Sequence, residues 1–258
     1  MNLDRIAFQS PLRHVAPGEK MFFGVLTLGI CILADRLLVS VAVLLVMGLL
    51  TVRKGRVKPK LYVSMLLIPF SFLTIGIMGI LLAVTREKEG LLAALQLGNW
   101  FVGISKAGLS TGLSLFLKSM AAVSCLYFIS LTTPMIDMLQ VLGRIGLPAL
   151  VIDLMGLIYR FLFLLMETGA TMLSAQNSRL GYATFQNSFR SMGALSSTLF
   201  LRAYKRGERT YTAMESRGYD GTMRVLGENY TKNRWNYAWA ALFNVALLIA
   251  AWSIGQMR

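Results

Sequence analysis

Residues 61–84 read LYVSMLLIPFSFLTIGIMGILLAV, a run of 24 residues without a charged side chain. A helix needs about 20 consecutive apolar residues to cross the hydrocarbon core of a bilayer. This run therefore predicts a membrane-spanning helix. The composition agrees, because 55% of the 258 residues are hydrophobic and 15% are charged, against about 25% charged in soluble domains. It excludes a disordered chain and argues against an ordinary soluble enzyme.

Further apolar runs lie on both sides of this helix. They predict spans at 107–134 and 235–254, and a hairpin of two short spans at 21–34 and 37–52. One long tilted helix is the alternative for residues 21–52, since each half is short for a bilayer that needs about 20 residues. The sequence thus predicts an all-α polytopic membrane protein with about five transmembrane helices plus cytoplasmic helices.

The charges set the predicted orientation. There are 26 Lys+Arg and 12 Asp+Glu, a net charge of +14. Residues 53–60 carry five positive charges and no acid, whereas the charges in 85–99 cancel. Because short loops rich in Lys and Arg stay in the cytoplasm, the N-terminus, 53–60 and 135–234 are predicted inside. The segment 85–99 and the C-terminus are then outside.

Three regions follow from this topology. Residues 1–134 hold an N-terminal segment and transmembrane helices 1–4, residues 135–234 form a cytoplasmic helical region, and residues 235–258 hold the last transmembrane helix. Nucleic-acid binding is the rival explanation of the positive charge. It is not favoured, because the basic residues lie between spans and lack an aromatic stacking platform.

Histidine and cysteine restrict the chemistry. His14 is the one histidine, and the two cysteines, Cys31 and Cys125, lie in apolar runs. These residues support neither a histidine-rich metal site nor a disulfide framework nor a catalytic triad. The chain also has no Walker A sequence and no GxGxxG fingerprint. We expect no catalytic residue, no metal ligand and no cofactor.

Two patterns stand out in the first half of the cytoplasmic region. Residues 134–147 place apolar side chains at helical spacing with Asp137 off that stripe, which predicts an amphipathic helix or an ordinary connecting helix. The stripe consists of Met135, Met138, Leu139, Leu142 and Ile145. Asp153, Arg160 and Glu167 follow at intervals of seven and share one helix face. A solvated face is the preferred interpretation, and a polar seam against a partner is the alternative.

A third pattern is an internal repeat. Ser178-Arg-Leu-Gly-Tyr182 is followed by Ser216-Arg-Gly-Tyr219. Glycine just past a helix favours a C-cap, because it tolerates the left-handed conformation. Each arginine would then lie at a helix end, where the dipole favours a cation and the guanidinium can bind a carboxylate with two hydrogen bonds. Two such tips could dock two copies, or two halves, of an acidic partner; a solvated capping arginine is the alternative.

Between the tips, Arg202, Arg206 and Arg209 form a basic helix face that could meet lipid phosphates or a protein. The sequence around these arginines resembles a known family, the T component of energy-coupling factor transporters, in particular its cobalt-type branch CbiQ. The strongest match runs from LFLRAYKRGER at 199–209 into AMESRGYDG at 213–221. Residues 10–20 and 133–148 are also similar to the family, and the resemblance covers nearly the whole chain.

The resemblance implies a membrane scaffold, not an enzyme, in an importer of the bacterial inner membrane. Its partners would be two ABC ATPase subunits and a separate metal-capturing membrane subunit, often with a small accessory membrane protein. Cobalt is the expected cargo, with nickel or a vitamin as alternatives, because the capturing subunit selects the cargo. The implied coupling residues are Ser178, Arg179, Leu180, Ser216, Arg217 and Gly218, with Arg202, Arg206 and Arg209 supporting the second coupling helix.

The sequence departs from the family at both tips. The family usually has alanine before the arginine, whereas Ser178 and Ser216 stand there in this chain. Leu180 occupies a position that is often glycine or serine. A membrane-embedded lipid enzyme is a rival function, but its carboxylates would have to cluster, and those of this region are scattered. A channel would centre on Lys118, and a lysine does not suit a path for divalent cations.

Overall fold

The computed structural model describes residues 3–34, 36–85, 91–97, 100–221, 230 and 234–256. Most of these residues are helical. The α-helices are α1 (Leu3–Gln9), α2 (Pro17–Leu33), α3 (Leu37–Leu49), α4 (Pro59–Leu81), α5 (Lys106–Thr132), α6 (Met135–Ile145), α7 (Ala149–Ser178), α8 (Phe185–Glu215) and α9 (Arg234–Gln256). A 3-10 turn at Pro11–His14 follows α1, and a π-helical turn at Leu50–Lys54 extends α3.

Four helices are long and apolar enough to cross a membrane by length and composition. They are Leu37–Lys54, Pro59–Leu81, Gly108–Thr132 and Ala149–Ser178, and Trp235–Ala251 is a shorter apolar helix. The prediction of an all-helical polytopic membrane protein is therefore confirmed. Counted with the shorter helix, the set differs from the predicted spans in two members. Helix α7 lies in the region assigned to the cytoplasm, and the predicted span at 21–34, which falls on the 17-residue helix α2, is not among the four. The three charges of α7, Asp153, Arg160 and Glu167, lie seven residues apart, and the residues between them are mostly apolar.

Residues 21–52 form two helices. Helix α2 begins at Pro17, whose fixed φ suits the first helical position. It ends at Leu33, and α3 begins at Leu37. The hairpin interpretation is thus confirmed over the single long helix.

The segment predicted as a neutral outer loop includes β-structure. Strands β1 (Leu82–Thr85), β2 (Leu91–Leu97) and β3 (Trp100–Ser105) form an antiparallel sheet in the order β1-β3-β2. The charged cluster at 86–89 lies outside the described residues.

The chain forms two compact units, Met1–Met138 with Asn229–Arg258, and Leu139–Glu228. In the first unit, the core is built where α2, α3 and α5 meet. Gly24 allows the close approach of α2 and α5, because a β-carbon there would lie 2.5 Å from Cγ1 of Ile129. The central buried side chains are Ile30, Cys31, Val39, Val43, Met47, Ala121, Cys125 and Phe128.

A buried lysine fixes the end of α5 in this unit. The ammonium of Lys20 donates to the carbonyls of Thr132 (2.8 Å) and Leu12 (2.9 Å), and the side chain is only 4% exposed. The Asp137 carboxylate, also buried, stabilises its charge. One residue group thereby joins the N-terminal segment, the end of α5 and the start of α6. The sequence analysis did not identify this cluster.

The second unit is differently built. Helices α7 and α8 run antiparallel from a turn at 179–184, and neither contains a buried residue. The C-terminal end of α8 returns to the start of α7, because the Tyr219 hydroxyl donates to Oδ2 of Asp153 (3.1 Å). The Asp153 carboxylate thus contacts the chain just after α8, and the polar seam against a partner stays a prediction. Glu167 is exposed, as the solvated-face interpretation expects.

Candidate docking tips and basic groove

The first tip is a capped end of α7. The Gly181 amide donates to the carbonyl of Gln176 (2.9 Å), and the Leu180 amide donates to the carbonyl of Asn177 (3.0 Å). This pair of bonds defines the Schellman C-cap, which satisfies the last carbonyls of a helix. Arg179 is the capping residue between them, and its side chain is exposed.

The second tip repeats this pattern at the end of α8. The Tyr219 amide donates to the carbonyl of Met214 (3.1 Å), and the Gly218 amide donates to the carbonyl of Glu215 (3.0 Å). Arg217 occupies the position that corresponds to the arginine of the first tip, and it is also exposed. The 38-residue repeat in the sequence is therefore a repeat of backbone structure.

The predicted left-handed residue is correct at one tip and wrong at the other. Gly218 has φ +72°, as expected for the C-cap glycine. At the first tip the left-handed residue is Leu180, with φ +58°, and not Gly181. The repeat aligns Leu180 with Gly218, so the cap geometry imposes the left-handed conformation on a leucine. Gly181 serves another purpose, because a β-carbon there would lie 2.8 Å from Oγ of Ser191.

The serine hydroxyls of both tips donate to backbone carbonyls in the last turn of their own helices. The Ser178 hydroxyl donates to the carbonyl of Ser174 (3.1 Å), and the Ser216 hydroxyl donates to the carbonyl of Ala213 (3.0 Å). Neither guanidinium of the tips forms an ion pair with any residue that the structure describes. Within each predicted set of coupling residues, 178–180 and 216–218, the arginine thus carries the charge that is available to a partner.

Different contacts hold the two tips in place. At the first tip, Gln176 donates to the carbonyl of Ser191 (3.1 Å) and accepts from the hydroxyl of Tyr182 (2.7 Å). At the second tip, Tyr219 is held by Asp153. Desolvation and this hydrogen bond raise the pKa of the Tyr219 phenol, which keeps it protonated as the donor. Each tyrosine of the sequence repeat therefore anchors its tip.

A groove of about 770 Å³ runs between α7 and α8. Its floor includes half-buried apolar side chains, among them Leu157, Leu164 and Met214. The guanidinium of Arg206 lies 5.6 Å from the ring centroid of Phe161, a cation–π distance. Six cations line the groove: Arg160, Arg202, Lys205, Arg206, Arg209 and Arg217.

The groove extends the predicted basic face. The structure brings Arg202, Arg206 and Arg209 together as the spacing indicated, and it adds Arg160 from α7 and Lys205 from α8. Lys205 could have been found from the sequence, since it lies three residues after Arg202 on the same face. Arg160 could not have been found in this way, because it lines the groove only through the antiparallel pairing of α7 and α8.

Metal-ligating side chains are dispersed. Within the ranges that the structure describes, no group of three or more His, Cys, Asp or Glu side chains could hold a metal ion. Cys31 and Cys125 are both buried in the core of the first unit.

Comparison with known proteins gives one consistent family. The family model described as cobalt transport protein, CbiQ, matches residues 8–227, which include both tips. The chain is 30% identical over 250 residues to an uncharacterised protein of Methanocaldococcus jannaschii, covering 97% of this chain and 92% of that protein.

Two named relatives are also similar. The cobalt transport protein CbiQ of Salmonella typhimurium is 29% identical over 223 residues, covering 86% of this chain and 99% of that protein. The energy-coupling factor transporter transmembrane protein EcfT of Bacillus subtilis is 30% identical over 191 residues, covering 67% and 69%.

Proposed function

The chain belongs to the CbiQ family of cobalt transport proteins, and on this premise we propose that it is the scaffold (T) subunit of an energy-coupling factor importer. Two cytoplasmic ABC ATPase subunits hydrolyse ATP, and α7 and α8 transmit their movement to a separate metal-capturing membrane subunit. A small accessory membrane protein completes the assembly. Cobalt is the proposed cargo, and nickel or a vitamin is the alternative.

The repeated C-cap is the observation that carries this proposal. Two helices of one asymmetric chain end in the same hydrogen-bond pattern, and each presents an arginine at the same position of that pattern. A cation at a helix C-terminus is favoured by the dipole, and a guanidinium binds a carboxylate with two hydrogen bonds. One chain can therefore engage two similar acidic sites, one on each ATPase.

The proposed roles follow the tip geometry. Arg179 and Arg217 enter the two ATPase sites, while Ser178, Leu180, Ser216 and Gly218 shape the turns that present them. Arg202, Arg206 and Arg209 support the second coupling helix from the groove between α7 and α8. The chain contributes no catalytic group and no metal ligand, so the substrate metal is bound by the capturing subunit.

The proposed orientation follows the charge distribution. The protein is a multi-pass membrane protein, and we place the N-terminus and both tips on the cytoplasmic side of a bacterial inner membrane. The five positive charges of residues 53–60 support this orientation, since short basic loops are retained in the cytoplasm.

Charge reversal at the tips tests the proposal. The full chain is co-expressed with its ATPases and capturing subunit as wild type, Arg179→Glu, Arg217→Glu and the double variant. Each single reversal should weaken ATPase retention on purification at least about tenfold, as for a docked arginine at an interface. The double variant should remain in the membrane, lose the ATPases and take up no cobalt.

Arg53→Glu is the matched control, because Arg53 is an exposed arginine of the π-helical turn at Leu50–Lys54 and belongs to neither tip. It should retain the ATPases. Wild-type ATPase retention and cobalt uptake by the double variant would contradict the docking role. Uptake of nickel in place of cobalt by the intact assembly would change the cargo and leave the docking role unaffected.

A further inference from the structure

We infer that the groove between α7 and α8 binds the headgroup of an anionic phospholipid. This inference concerns the groove around Arg160, Arg202, Lys205, Arg206 and Arg209. It does not rest on Arg217, so it is independent of the docking of ATPases at the tips. It names one ligand for the basic face of α8 and for Arg160 of α7, which lines the same groove.

The groove is strongly basic. Arg160, Arg202, Lys205, Arg206, Arg209 and Arg217 line it, and its lining includes no Asp or Glu. No ion pair joins any of the six to a carboxylate among the described residues. Lys205 and the five arginines are exposed, so an anion can reach them. A phosphodiester between several guanidiniums would satisfy donors that no acidic side chain of the described ranges pairs with.

The floor of the groove is apolar. Leu157, Leu164 and Leu165 contribute an apolar surface from α7, and Met214 contributes from α8. A soluble anion such as inorganic phosphate would use only the cations of this groove. A phospholipid uses both parts, because its phosphate contacts the guanidiniums while the start of its acyl chains covers the leucines.

Helix α7 presents an exposed apolar surface. It is apolar and long enough to cross a membrane, and no residue of it is buried in the structure. Large apolar side chains of α7 are exposed, for example Ile158 (65%) and Met166 (60%). Such a surface is stable only against lipid or another protein. The groove cations therefore lie on the same helix pair as exposed apolar side chains, a combination that a phospholipid can cover with its headgroup and the start of its acyl chains.

The groove is large enough for a lipid headgroup. A volume of about 770 Å³ lies within the range of roughly 300–1,000 Å³ that is typical of small-molecule sites. It can hold one headgroup with the glycerol that follows it. Arg206 is already positioned, because its guanidinium contacts the ring of Phe161.

Native mass spectrometry of the full-length chain in detergent tests this inference. Phosphatidylglycerol, zwitterionic phosphatidylcholine and soluble glycerol phosphate are the three probes. Wild type should retain phosphatidylglycerol at least about tenfold more strongly than phosphatidylcholine, given about 1 kcal/mol per basic residue near an anionic surface. Glycerol phosphate at the same concentration should not displace it.

The variant set separates the groove from general basicity. Arg202→Gln with Arg206→Gln and Arg209→Gln should lose at least about tenfold in phosphatidylglycerol retention, down to the level of phosphatidylcholine. The matched control replaces three cations of another basic segment, Arg53, Lys58 and Lys60, by Gln and should retain the lipid. Replacing the three groove arginines by Lys keeps the charge and should restore most of the retention, which excludes loss of folding as the cause.

Several results would overturn the inference. These are wild-type lipid retention by the glutamine variant of the groove, equal loss in the control, or equal binding of phosphatidylcholine. Displacement by glycerol phosphate would make the groove a simple anion site. If the glutamine variant kept the lipid and lost the ATPases, the groove would be part of the protein interface.

Discussion

The bundle around α2 and α5 and the pair of α7 and α8 use their cations in opposite ways. In the bundle, Lys20 is 4% exposed and donates to two backbone carbonyls. In the pair, six cations line an open groove and are exposed, and neither helix has a buried residue. The buried cation fixes a fold, whereas the exposed cations remain available to ligands.

The apolar side chains show the same contrast. Val43, Met47 and Cys125 of the bundle are fully buried. In the pair, Phe185 is 90% and Phe189 is 79% exposed. Exposed area of this kind costs about 25 cal/mol per Å² in water, so lipid or a partner has to cover it. Substitutions in the bundle should therefore alter stability, and substitutions in the pair should alter binding.

Lys20→Met gives the largest expected effect on the bundle. The variant leaves the carbonyls of Leu12 and Thr132 without their donor and leaves Asp137 buried without its countercharge. Removing one partner of such a cluster costs about 3 kcal/mol. The free energy of unfolding, measured by denaturant titration in detergent micelles, should fall by about this amount.

Lys60→Met is the control for this experiment, because Lys60 is exposed. It should change the free energy of unfolding by less than about 0.5 kcal/mol. If both variants were equally stable, the buried lysine would not fix the bundle, and the contrast between the two regions would fail.

Gly24→Ala should have the next largest effect. The added methyl group would lie 2.5 Å from Cγ1 of Ile129 and would separate α2 from α5. Overpacking of this kind costs about 1–3 kcal/mol. A second substitution, Ile129→Ala, removes the clashing atoms, so the two changes should be less costly together than their sum.

Gly29→Ala is a matched control in the same helix, since a β-carbon at Gly29 meets nothing within 4 Å. It should be neutral or slightly stabilising in the same micelle titration. A loss as large as that of Gly24→Ala would assign the effect to helix flexibility and not to packing.

The helical framework could be predicted from the sequence because long apolar runs have few structural solutions in lipid. The run at 61–84 predicts a span, and α4 occupies Pro59–Leu81. Both tips could also be located, since the repeated Ser-Arg pattern marks two helix ends. The spacing of Arg202, Arg206 and Arg209 correctly placed them on one face.

Contacts between residues that are distant in the chain could not be predicted from the sequence. Lys20 and Thr132 are far apart in the chain, and no local pattern joins a lysine to a distant carbonyl. Arg160 likewise reaches the groove only because α7 and α8 run antiparallel. The assignment of the left-handed residue failed at Leu180 because the position in the hydrogen-bond pattern, and not the residue type, decides which residue takes that conformation.

Leu180→Gly is the smallest predicted effect and compares the two tips directly. A left-handed leucine costs about 1–2 kcal/mol of folding free energy, and the glycine variant avoids this cost. Glycine also raises the entropy of the unfolded chain, which destabilises the folded state by about 1 kcal/mol. The net gain at the first tip is then about 0.5 kcal/mol. Hydrogen exchange of the Gly181 amide, which donates to Gln176, should slow about twofold.

The mirror variant, Gly218→Leu, should accelerate exchange of the Tyr219 amide at the second tip, because it places a β-carbon at φ +72°. The two changes act on corresponding positions of one backbone pattern, so they should have opposite signs. Exchange at both tips moving in the same direction would show that the caps are not equivalent. Slower exchange at the first tip with unchanged ATPase retention would show that the turn presents Arg179 and that its strain is not needed for docking.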